Sequence, residues 1–105
     1  MTVLRVCYKH GVRFDEGYYV SKHLPLVASA YGSLGLRSIE VVKVRGSADG
    51  SAPPYAVIFS AYFDSAAAMQ SAMESPRAAD VRADVPNYYG GAPDVMIGEV
   101  VALPS

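Results

Sequence analysis

The chain has no tryptophan, one cysteine, two histidines and few charges, with Asp, Glu, Lys and Arg making up 18% of its 105 residues, against about 25% in ordinary domains. Each shortage closes off a class. The lone Cys7 cannot form an internal disulfide, which fits a reducing compartment and excludes mechanisms that need several thiols. With 9 basic and 10 acidic residues the net charge is −1, and no Lys/Arg cluster offers a footprint for phosphates, so no nucleic-acid partner is expected. Residues 1–45 hold seven basic and three acidic side chains and residues 46–105 hold two and seven, a split that is diffuse along both halves. No run reaches the roughly 18 apolar residues of a membrane span, and MTVLRVCYKHG lacks the apolar stretch of a secretion signal, so no membrane partner and a cytoplasmic location are expected. GxGxxG, GxxxxGK[ST] and GxSxG are all missing, and His10, Asp15 and His23 follow no metal-ligand spacing. The expectation is no metal and no cofactor, haem and flavin included.

Apolar residues are abundant instead. The AVILMFWYC set makes up 51% of the sequence, yet a domain this short buries only about two-thirds of its unfolded surface when it folds alone. An apolar excess beside a charge deficit therefore predicts a hydrophobic face covered by a second copy of the chain. The length fits a single domain, 1–105.

Hydrophobic spacing gives the element order. Thr2 to Tyr8 (TVLRVCY) is β-branched and aromatic, as in a strand, and is closed by His10-Gly11. Asp15 stands at an N-cap position before a helix over 16–33, in which Pro25 predicts a kink or break near His23. A partly wet edge strand follows over 36–45, and GSADGSAPP (46–54) is a loop. The run Tyr55 to Phe63 reads as a strand covered on both faces. Asp64 or Ser65 caps an Ala/Met-rich helix ending before Pro76, a short helical turn is expected at 77–82, residues 85–93 form a loop, and a last strand covers 95–103. The order βαββαβ is a ferredoxin-like α+β sandwich: a four-stranded antiparallel sheet with two helices on one face. Its other face needs cover, which a second subunit provides in a dimeric α+β barrel.

His23 leads the candidates for chemistry, because imidazole takes and gives protons near neutral pH. Tyr19, His23, Val27 and Tyr31 recur every fourth residue and share one stripe facing the sheet. A His/Tyr pair between helix and sheet suits acid/base work on an enol, lactone or ketone. The competing reading is a half-buried His23 bonded to the carbonyl freed by Pro25. The eight tyrosines suit either a pocket for a flat apolar ligand or a plain dimer interface. Asp15 and Asp64 read as caps, Cys7 as an inert buried thiol and His10 as a solvated turn residue.

The segment Phe14-Asp15, Tyr18-Tyr19, His23-Leu24-Pro25-Leu26-Val27, then Gly35-Leu36, Pro53-Pro54-Tyr55, Phe63-Asp64-Ser65, Ala83-Asp84-Val85 with Asn87, and Pro93 before the last strand, resembles the EthD family of dimeric α+β barrel proteins over nearly the whole chain. FDxxYYxxxHxPL is the most specific part. The resemblance implies a ferredoxin-like subunit that dimerises through its sheet. The family's namesake is associated with a haem monooxygenase system that degrades alkyl ethers. Similar barrels include isomerases, polyketide cyclases and dehydratases, and cofactor-free monooxygenases. In some of them the His of an HxP motif acts as acid/base, which falls on His23 here. The leading expectation is a homodimer binding an apolar or aromatic catabolic intermediate, with His23 catalytic, Tyr19, Tyr31 or Tyr55 orienting the ligand, and His23→Ala losing turnover with little loss of stability. The alternative is a non-catalytic accessory protein of an ether- or aromatic-degrading monooxygenase, docking through Tyr88-Tyr89.

Overall fold

A computed structural model describes residues 1–103; the last two residues of the expected 1–105 domain lie outside the described residues. Four strands, β1 (Thr2–Lys9), β2 (Leu36–Lys43), β3 (Tyr55–Phe63) and β4 (Asp94–Glu99), form one antiparallel sheet in the order β2-β3-β1-β4. Helix α1 spans 16–31, α2 is Ala66–Glu74 and α3 is Pro76–Asp84, followed by a 3₁₀ turn at Val85–Asn87. This is the expected ferredoxin-like α+β fold. The apolar run Tyr55 to Phe63 is central and the 36–45 segment is at an edge, as their hydropathy predicts.

Local chemistry sets the element ends. Asp15 Oδ1 accepts from the Tyr18 N–H at 3.0 Å, and Ser65 Oγ, not Asp64, caps α2 by accepting from the Ala68 N–H at 3.1 Å. The short turn expected at 77–82 is a full helix, because Pro76 at its first position needs no N–H donor there. β4 is shorter than the expected 95–103: its partner is β1, and the last rung beyond Glu99 is Val100 N–H to the Met1 carbonyl. Gly35 links α1 to β2 at φ +89, where a Cβ would lie 2.8 Å from that of Ala68, so both conformation and space require glycine.

Pro25 neither breaks nor ends its helix. The chain is α-helical at Glu16–Tyr18, π-helical at Tyr19–His23 and α-helical again at Leu24–Tyr31, with the Leu24 N–H bonded to the Tyr19 carbonyl. The wider turn absorbs the missing donor and ring bulk of proline. It also aligns the stripe: a step of four residues overshoots one turn of an α-helix by about 40°, and the wide turn takes that back, so Tyr19, His23, Val27 and Tyr31 are all buried.

The helices pack on one face of the sheet. Leu4 and Tyr8 of β1, with Val57, Phe59, Ala61 and Phe63 of β3, share a core with Val27 and Tyr31 of α1, Met69 and Ala72 of α2 and Ala78 of α3. Val3, Cys7, Ile58 and Tyr62 point to the opposite face, between Val42 on β2 and Met96 on β4. Among the described residues, no helix covers that face. At the β4 edge even the helix side is open, with Ile97 65% exposed opposite Leu4.

Candidate functional site

The π turn of α1 and the segment after α3 meet over the end of β1. His23 is 4% exposed, and its ring has two partners. Nδ1 lies 2.9 Å from Asp84 Oδ2 and Nε2 lies 3.2 Å from the Tyr88 hydroxyl. The carboxylate of Asp84 only accepts, so Nδ1 carries a proton, and with the ring neutral Nε2 accepts from Tyr88. The Tyr88 hydroxyl in turn sits 2.7 Å from that of Tyr8, completing a buried chain from Tyr8 through Tyr88 and His23 to Asp84. The carbonyl freed by Pro25 is therefore not the partner of His23.

Asp84 is held from behind. Its Oδ1 accepts from the Tyr18 hydroxyl at 2.6 Å and from Asn87 Nδ2 at 2.9 Å. Burial alone pushes the Asp84 carboxyl up, but the donors Tyr18, Asn87 and His23 outweigh it and hold the carboxyl below its ordinary range. Burial pushes the Tyr8 and Tyr88 hydroxyls up, so both stay protonated as donors at neutral pH. An anchored carboxylate, a tautomer-fixed imidazole and a neutral phenol together form a unit that can accept a proton at Nε2 and stabilise the imidazolium that results.

A cavity of about 200 Å³ opens beside this unit, between the helices and β1, β3 and β4. His23, Tyr8, Tyr31 and Tyr88 line it together with apolar side chains such as Leu4, Val27, Phe59, Val81 and Val95, and Arg82 stands at its exposed rim. Of the four residues singled out in the sequence, two reach the cavity wall: His23 and Tyr31. Tyr19 packs behind His23, its ring stacked at 5.4 Å between centroids, with its buried hydroxyl unpartnered. Tyr55 is on the other side of the sheet. β-alternation from Val57 would place it on the helix face, but a bulge at Ala56 pairs it with Lys9, and its hydroxyl donates to Asp94 Oδ2 at 2.8 Å.

Asp84, Tyr88 and Tyr8 are the residues that sequence reasoning misses as a site. Asp84 has a signal only as part of the resemblance, in Ala83-Asp84-Val85, and Tyr8 and Tyr88 have none there. The tyrosines serve neither a pocket nor an interface alone: Tyr8, Tyr19, Tyr88 and Tyr89 pack with Phe14 as an internal aromatic cluster at 4.9 to 6.4 Å between centroids. Tyr88 and Tyr89 are buried, so they do not form the exposed docking surface of the accessory-protein alternative. Among the described residues, no group of three or more His, Cys, Asp or Glu side chains is placed to hold a metal, and no helix is long and apolar enough to cross a membrane.

The model of one family, the EthD domain, matches residues 13–92. Among solved structures, the chain is similar to an EthD-like protein from Ralstonia eutropha JMP134, with 33% identity over 99% of this chain and 95% of that one and a TM-score of 0.86. It is also similar to an ethyl tert-butyl ether D (EthD) family protein from Bacillus halodurans C-125, at 25% identity over 96% and 99% of the two chains, TM-score 0.79. In fold alone it matches a dimeric ferredoxin-like protein of unknown function from Jannaschia sp. CCS1, at 14% identity over 95% and 100%, TM-score 0.68. No curated protein matches.

Proposed function

The chain belongs to the EthD family, and from that premise we infer that it binds a small apolar or aromatic catabolic intermediate beside His23 and moves a proton on it, as a cofactor-independent isomerase or lyase or in an oxidoreductase-linked step. One observation carries this reading: the only imidazole in the interior among the described residues is aimed by Asp84 at Tyr88, and both rings line an apolar cavity. The same pairing without a cavity would be a structural hydrogen bond and nothing more.

The chemistry follows from the donors and acceptors. A proton leaving the carbon next to a carbonyl passes to the Tyr88 oxygen as the Tyr88 proton moves to Nε2, whose lone pair that hydroxyl occupies, and the Asp84 carboxylate stabilises the imidazolium. The protonated ring then returns the proton at another carbon or to a leaving oxygen. The apolar walls exclude water and strengthen the electrostatics of each step. Tyr31 orients the ligand from the α1 side, and Tyr19 supports the imidazole by stacking. A panel of enols, lactones and cyclic ketones tests the reading: turnover that falls at least about 100-fold in Asp84→Asn, within the range of general acid/base effects, supports it, and undiminished turnover in that variant contradicts it.

The chain works as a homodimer through the helix-free face of its sheet. That face leaves Val42 and Met96 45% and 50% exposed beside half-buried Ile58 and Tyr62, an apolar surface that a second copy covers. Light scattering at micromolar concentration is expected to give twice the 11.2 kDa chain mass; the single-chain mass contradicts the dimer.

A further inference from the structure

We propose that Arg82 and Tyr31 form an anion subsite at the mouth of the His23 cavity, so that the ligand is an apolar body of about one ring carrying a carboxylate or another acidic oxygen. The proposal rests on the cavity reading above and narrows its ligand class.

Charge is the first argument. Among the residues lining the cavity, Arg82 has the only permanent charge and none is acidic. Asp84 lies behind the imidazole, engaged by three donors. Lys9, Arg37 and Lys43 are each paired with a carboxylate. Arg82, like Arg5, Arg13, Lys22, Arg45 and Arg77, has no ion pair among the described residues, but of these it alone lines the cavity, and its hydrogen bond to the Met73 carbonyl is long at 3.5 Å. The Tyr31 hydroxyl likewise has no hydrogen-bond partner among the described residues, although its ring is buried in the cavity wall. Burial pushes that hydroxyl's pKa up and the Arg82 charge pulls against it, and both residues line the same cavity.

Shape is the second. Arg82 is exposed at the rim, whereas His23 and Tyr88 are buried at the inner end. A guanidinium fork beside a phenol offers three donors to a carboxylate, and apolar walls raise the preference of an unpaired cation for an anion. A cavity of about 200 Å³ compares with the roughly 150 Å³ that accommodates benzene, which sets the size at one substituted ring. Anchoring the acidic oxygen at the rim leaves the far end of the ring against His23.

A second role for Arg82 needs no ligand: it lies in the last turn of α3, where a cation complements the helix dipole. Binding of 4-methylbenzoate and of its neutral isostere 4-methylbenzamide, measured by calorimetry at about pH 7, separates the two. The expected result is a carboxylate bound at least about tenfold more tightly than the amide, about 1.4 kcal/mol. In Arg82→Gln that ratio falls to within about twofold while amide affinity holds, Arg82→Lys keeps part of it, and Tyr31→Phe weakens the carboxylate alone. If the amide binds the wild-type protein as well as the carboxylate, or if Arg82→Gln lowers the melting temperature and leaves the ratio intact, the subsite is refuted and the cavity reading stands. If neither probe binds, both fall.

Discussion

Replacing Asp84 by Asn keeps the shape of the side chain and reverses a proton. In the native chain Tyr8 donates to Tyr88, Tyr88 donates to His23 Nε2, and His23 Nδ1–H donates to Asp84. In Asp84→Asn the new amide would keep its carbonyl oxygen toward Tyr18 and Asn87, the two donors now on Oδ1, which turns its NH₂ toward Nδ1. Two donors cannot face each other in a buried site, so the imidazole proton moves to Nε2 and every bond up to Tyr8 reverses. The count of hydrogen bonds is unchanged; what is lost is charge assistance in three of them. Bonds to an ionised partner contribute about 1.5 to 3 kcal/mol and neutral ones about 1, so with two of the three geometries kept, the cost comes to about 2 kcal/mol, or roughly 10 °C in Tm for a domain of this size. Long-range ¹H–¹⁵N spectra read the tautomer directly. The wild-type ring is expected as Nδ1–H and Asp84→Asn as Nε2–H, with Nε2 no longer able to accept a proton. An Nε2–H tautomer in the wild type, or the same tautomer in both proteins, would refute the reasoning.

Acid stability follows from the same carboxylate. The folded-state pKa of Asp84 is held below its ordinary value, so its contribution is fully present above an unfolded pKa of about 3.9 and is lost as the pH falls through the depressed folded value; thermal melts between about pH 5 and pH 2 should decline less steeply in Asp84→Asn than in the wild type. Tyr88→Phe removes the link between His23 and Tyr8, leaving a buried hydroxyl and Nε2 without their partner, and is expected to cost about 1 to 3 kcal/mol by denaturant melts; a neutral effect would mean that the 3.2 Å contact carries nothing. His23→Ala, expected from sequence to be nearly silent in stability, should instead destabilise by about 2 kcal/mol or more in the same melts, since the ring is buried, stacked and twice hydrogen-bonded.

The fold is legible in the sequence because its signals are local. Alternation marks the strands, Asp15 and Ser65 announce helix starts, and a continuous apolar run can only be a central strand under these helices. His23 and Tyr31 are legible for the same reason, as members of one helical stripe. A single bulge misplaces Tyr55, because it inverts the alternation and leaves no mark in composition. Asp84 and Tyr88 stand 61 and 65 residues beyond His23, and no periodicity ties a helix residue to partners that far along the chain. Pro25 does mark a disturbance, but the sequence does not say whether a chain answers proline with a kink or with a wider turn. The apolar excess has a second location besides the helix-free face: the helix side of β4, where Ile97 stays open.

The most direct test of the ligand site is a chemical-shift titration of the labelled protein with 4-methylbenzoate. Saturable shifts are expected at the His23 ring and at the methyl groups of Val27 and Val95, which line the cavity, with Val42 on the helix-free face unmoved. Shifts confined to Val42 and Met96, or none at His23, would contradict a ligand site beside the imidazole.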